Sequence, residues 1–144
     1  MADVEQTVSF LARVPLFRGL EKRQLERLAG RFVPRKYAAG QAIVTQDKGG
    51  EGIFIIVSGQ AEAIRERADG TKVVVNTFGP TDFFGELALL DDGLRTASVV
   101  ATEATQCLAL TRWDFHGVLR GDVDMAIVIL QEMAKRLRMV LDVL

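Results

Sequence analysis

The 144-residue sequence predicts an α+β, mainly β domain: a closed roll of short strands with helices at both ends. Three observations predict it. Glycines recur at Gly40, Gly49, Gly50, Gly52, Gly59, Gly70, Gly79, Gly85 and Gly93, about one turn for each strand length. The run Ile53-Phe54-Ile55-Ile56-Val57 is apolar at every position, which calls for cover on both faces. Either side of this zone, apolar residues return with helical period.

The elements follow in order. From about Val4 to Phe32 the chain is helical: Leu25, Leu28 and Phe32 share one face, while Glu21, Lys22, Arg23, Glu26 and Arg27 supply a wet one. Pro15 breaks this zone into two helices, because its ring removes a donor and restricts the residue before it. Residues 33–111 form the roll. Its β-rich runs are Gln41–Thr45, Ile53–Ser58, Gln60–Arg67, Lys72–Phe78, Thr96–Ala101 and Gln106–Thr111, and Asp69-Gly70 is a hairpin turn. Residues 112–144 are helical again, with a break at Gly121 and Asp122 as the N-cap of a long last helix. That helix carries Ile127, Leu130, Ala134, Leu137, Leu141 and Leu144 at alternating steps of three and four, the spacing of a coiled-coil seam. The expected organisation is one domain, 1–144, with no linker or internal repeat.

Composition excludes several classes of function. A net charge of −1, from 18 basic and 19 acidic residues, argues against a broad nucleic-acid surface. The single histidine, His116, cannot assemble a metal centre, and the single cysteine, Cys107, suits a small buried hydrophobe. With no signal peptide, no membrane span and no internal disulfide to form, a cytoplasmic protein is expected.

One stretch carries chemistry: Phe84-Gly85-Glu86-Leu87-Ala88-Leu89-Leu90-Asp91-Asp92-Gly93-Leu94-Arg95-Thr96-Ala97-Ser98-Val99. Gly85 allows a tight turn and close approach of a ligand to the backbone. Glu86 to Leu90 can form a short helix whose first amides point back at that turn, where negative charge is favoured. Arg95 presents a planar fork of donors to a pair of anionic oxygens. Glu86 is an acceptor suited to a sugar hydroxyl. An anion site beside a hydroxyl acceptor is what a ribose cyclic phosphate requires. Asp91-Asp92 reads as a solvated turn.

This segment, 84–98, resembles the phosphate-binding cassette of the cyclic-nucleotide-binding domain family, which includes protein kinase A regulatory subunits, cyclic-nucleotide-gated channels and catabolite activator protein. The resemblance extends over almost the whole chain. Pro15-Leu16-Phe17 with Leu20, Gly40-Gln41-Ala42-Ile43 and Ile53 to Gly59 are similar to the family's opening segment and early strands. Gln46-Asp47-Lys48-Gly49 departs from it, since many members place an acid closer to that glycine; the departure is expected to touch a loop and leave the pocket alone.

The resemblance implies a double-stranded β-helix (a jelly-roll-like β-roll) with N-terminal helices and a C-terminal two-helix segment. It implies a ligand, cAMP or cGMP, with no cofactor, no metal and no catalysis. Glu86, beside the Gly85 backbone, would accept from the ribose 2′-hydroxyl, and Arg95 would pair with the exocyclic phosphate oxygens. Amides of Leu87, Ala88 and Ala97 would complete the cradle. Thr96 stands where cGMP-selective relatives use a threonine on the guanine amino group, although channel members with the same motif prefer cAMP. Arg136 and Val140 on the last helix are the expected cap on the base, and movement of that helix is the expected output. The seam on it fits two uses, packing onto the roll or pairing with a second subunit or an effector protein. The rival function is a non-enzymatic interaction scaffold of the same fold that binds no nucleotide. With nothing following Leu144, no DNA-binding domain is expected in this chain.

Overall fold

A computed structural model describes residues 3–48, 52–91 and 93–144. Gly49, Gly50 and Asp92, three of the expected turn residues, lie outside the described residues. The chain divides into two compact units, a β unit over Phe32–Arg112 and a helical unit built from both chain ends.

The β unit is the expected roll, built from two four-stranded antiparallel sheets. One contains β1 (Val33–Tyr37), β8 (Thr105–Thr111), β3 (Gly52–Ser58) and β6 (Phe83–Phe84), in that order. The other contains β2 (Ala42–Val44), β7 (Ser98–Ala101), β4 (Ala61–Glu66) and β5 (Lys72–Phe78). The apolar run on β3 is buried from Ile53 to Ile56, as a strand covered on both faces must be. β4 and β5 form the hairpin expected at Asp69-Gly70, where Asp69 Oδ1 accepts from the amide and hydroxyl of Thr71. These two bonds favour the ionised carboxylate and lower its pKa. Two strands, β1 and β6, are not among the β-rich runs of the sequence; β1 pairs with β8, and β6 is two residues long and pairs with Phe54 and Ile55 of β3.

Between the sheets lies a core of Val44, Phe54, Ile56, Ala61, Ala63, Phe84, Val99, Cys107 and Ala109. Phe84 meets both Phe54 and Phe78, with ring centroids 5.4 and 5.1 Å apart and the rings tilted, a favourable aromatic geometry. Ala63, Phe78 and Phe84 also line the cavity described below.

The helical unit comprises α1 (Val4–Leu11), a 3-10 turn over Pro15–Phe17, α2 (Lys22–Ala29), α3 (Arg112–Arg120, its first residue falling in the β unit) and α4 (Val123–Val143). Pro15 opens its turn at the first position, where a missing N–H costs nothing. α2 starts with a capping box in which the Glu21 amide donates to Gln24 Oε1 at 2.9 Å. Phe17 packs on Phe115 at 6.0 Å. Asp122 caps α4 as predicted: Oδ1 accepts from the Met125 amide at 3.0 Å, and Oδ2 pairs with Arg27 at 3.2 Å. The buried face of α4 is Met125, Ile129 and Glu132. The seam residues are on the other side, with Leu130 68% and Leu137 59% exposed.

Candidate functional site

A cavity of about 680 Å³ opens in the β unit. Its floor is the top of the core, Phe84, Phe78, Ala63 and Val99. One end is the turn that follows β6. There Gly85 takes φ +86° and ψ +16°, a left-handed conformation that disfavours a side chain. Glu86–Leu89 then make one 3-10 turn, closed by the Ala88 amide donating to the Gly85 carbonyl at 3.0 Å. This is the short helix the sequence suggests, in the tighter 3-10 form. The Ala88 amide, expected in the cradle, is already engaged and can reach an anion only as a shared donor.

Arg95 is placed by contacts at both ends. Its amide donates to the Lys48 carbonyl and its carbonyl accepts from the Asp47 amide, each at 2.9 Å. Its guanidinium donates through Nη2 to the Gly52 carbonyl at 2.7 Å. A Cβ on Gly85 would collide with Arg95 Nη1 and lie 2.6 Å from the Gly52 oxygen. Gly85 is therefore required by shape as well as by φ, since its bare Cα is the surface on which the guanidinium rests. The Gln46–Lys48 loop, expected to leave the pocket alone, instead holds the backbone of the key arginine. It does so through main-chain bonds that join residues some 50 apart, and no local pattern reveals such bonds.

Gly85, Glu86, Leu87, Ala88, Arg95, Thr96 and Ala97 all line this one cavity. A guanidinium, a carboxylate, a tight amide turn and an apolar floor thus converge, as a ribose cyclic phosphate with an attached base would need.

A family model described as the cyclic nucleotide-binding domain matches residues 34–122. The chain belongs to the cyclic nucleotide-binding domain family. Among curated relatives, the cyclic AMP receptor protein of Thermus thermophilus is 35% identical over 86% of this chain and 57% of its own length. A CRP-like cAMP-activated global transcriptional regulator of Mycobacterium tuberculosis is 27% identical over 89% of the chain and 57% of its own. The chain thus spans a little over half the length of these relatives. Among solved structures, the N-terminal domain of a transcriptional regulator from Streptomyces coelicolor superposes with a TM-score of 0.84 at 29% identity. That match covers 92% of this chain and 95% of the other.

The other two expected site residues, Arg136 and Val140, are on α4 in the helical unit. Conversely, the cavity contains polar residues that were not singled out in the sequence. Arg65 on β4 and Asn76 on β5 both line it. The signal for Arg65 was the strand alternation: Ala61, Ala63 and Arg65 share one face, and the two alanines face the core. Asn76 had no such signal. A register shift between Ala63 and Ile64 leaves Val75 as the extra residue on β5, so Val75 and Asn76 both reach the cavity wall.

Elsewhere, Cys107 is 1% exposed, and burial pushes its thiol up to about 11. His116 lies 6.2 Å from the Phe115 ring. Among the described residues, no cluster of three His, Cys, Asp or Glu side chains could hold a metal ion, and no helix is long and apolar enough to cross a membrane.

Proposed function

We propose that this domain is a non-catalytic sensor that binds a cyclic purine nucleotide in the cavity of the β unit. The observation that carries the reading is the seating of the Arg95 guanidinium on the bare Cα of Gly85, beside Glu86 and the amide turn. Arg95 pairs with the exocyclic phosphate oxygens, a charge-assisted contact stronger than one between neutral groups. Glu86 accepts from the ribose 2′-hydroxyl. Amides of Leu87, Ala88 and Ala97 complete the anion site, and the purine lies over the floor of Phe78 and Ala63, beside Thr96. The curated relatives carry cAMP in their names, which makes cAMP the first ligand to titrate.

Output is a movement of the C-terminal helices, in which Arg136 and Val140 come to cap the base. A ligand drives such a movement only through its preference for one state; a hundredfold preference corresponds to about 2.7 kcal/mol. The exposed seam on α4 supports pairing with a second copy of the chain, and a cytoplasmic location accords with the ligand.

Isothermal titration with cAMP and with cGMP tests the reading. Micromolar or tighter binding is expected, and Arg95→Ala should abolish it by leaving a phosphate unpaired in a partly buried site. Absence of heat with both nucleotides would favour the interaction scaffold instead.

A further inference from the structure

The part of the cavity wall that β4 and β5 supply is not purely apolar. Ala61, Ala63 and Arg65 project from one face of β4, and Phe78 and Asn76 stand opposite Ala61 and Ala63 on β5. Arg65 is exposed at the cavity mouth, and its Nε donates to the Thr96 carbonyl at 3.3 Å. Among the described residues, no hydrogen bond or ion pair takes its two Nη groups. Asn76 is oriented as well, because its Oδ1 accepts from the Thr77 amide at 2.9 Å and its NH₂ is the end that is left. Both side chains therefore offer donors to whatever lies against β4 and β5.

The geometry points to Arg65 as a residue that reads the edge of the base. This inference rests on the nucleotide-binding reading above, in which the phosphate takes the end of the cavity held by Gly85 and Arg95. The base is then left with the β4–β5 wall. A donor-only fork complements an edge made of acceptors. Guanine offers two adjacent acceptors, O6 and N7, whereas adenine offers N7 beside an amino donor that a guanidinium cannot satisfy. Arg65 accordingly favours guanine over adenine in this site, whichever nucleotide binds more tightly in absolute terms.

The test is a pair of titrations, cAMP and cGMP, on the unaltered chain and on Arg65→Ala and Arg65→Lys. Arg65→Ala should weaken cGMP by about tenfold more than cAMP, so that the ratio of the two dissociation constants moves toward adenine. Arg65→Lys keeps the charge but loses the planar fork and should show most of the same shift. If both nucleotides weaken equally in Arg65→Ala and recover in Arg65→Lys, Arg65 acts as a charge near the phosphate and the base-reading role is overturned. An unchanged ratio with unchanged affinities overturns it too. Failure of the unaltered chain to bind either nucleotide overturns the function itself, and this inference with it.

Discussion

At the scale of single residues, the site depends on what is missing from Gly85 as much as on what Arg95 supplies. The guanidinium occupies the volume that a Cβ would take, and the Gly52 carbonyl holds it there through a 2.7 Å bond. Gly52 is itself constrained: at φ +154° a Cβ would run into the Leu110 carbonyl on the neighbouring strand. The position of Arg95 is thus set by two glycines whose chemistry lies in their backbones. Cys107 shows the opposite case, a reactive group silenced by burial. Its thiol titrates near 11 rather than at the usual 9.0, because the thiolate would sit in the apolar core. The raised pKa contributes stability that is complete below the unfolded value and is lost as pH rises through the folded one. Between about pH 9 and 11 this one group should remove roughly 1.4 kcal/mol of stability per pH unit. Urea unfolding of the parent and of Cys107→Ala across this range should show the parent losing stability more steeply. Parallel curves would contradict the assignment.

Elements add constraints that no residue carries alone. The β4–β5 hairpin does two jobs: its Ala63 and Phe78 line the cavity, and its bulge turns two consecutive side chains, Val75 and Asn76, onto one wall. At the start of α4, Asp122 caps the helix with one carboxylate oxygen and binds Arg27 with the other, and its side chain is only 9% exposed. Asp122→Ala removes both contacts. It should destabilise the chain by about 1–2 kcal/mol, with the cap accounting for most of that, since the Arg27 side chain is partly exposed to water that screens the ion pair. Arg27→Ala should cost a few tenths of a kcal/mol. Denaturant midpoints of the two variants separate these contributions. Equal losses would mean that the ion pair, and not the cap, is the stabilising contact.

For the whole molecule, the exposed seam on α4 predicts self-association. Burying Ile127, Leu130, Leu137 and Leu141 of two copies against one another removes a contiguous apolar stripe from water, the driving force of helix pairing. Sedimentation velocity should show a dimer at micromolar concentration. Leu130→Lys combined with Leu137→Lys should yield a monomer whose β unit keeps its ligand affinity. A parent chain that remains monomeric up to millimolar concentration would remove the pairing role.

The residues themselves determined what short range can encode. The hairpin turn at Asp69-Gly70, the cap at Asp122, the burial of Cys107 and the string from Phe84 to Val99 were legible because each is set by neighbours a few positions away. The same locality made Glu86 and Arg95 recognisable as partners for one ligand. Tertiary structure decided the rest. Which face of α4 is buried could not be read, because Met125 and Ile129 are as apolar as the seam residues and only packing chooses between them. The grip of Asp47 and Lys48 on the Arg95 backbone, the carbonyl of Gly52 beneath its guanidinium, and Asn76 on the cavity wall depend on strand register. Register is fixed by hydrogen bonds between segments far apart in the chain, and such bonds leave no trace in the side-chain pattern of either segment.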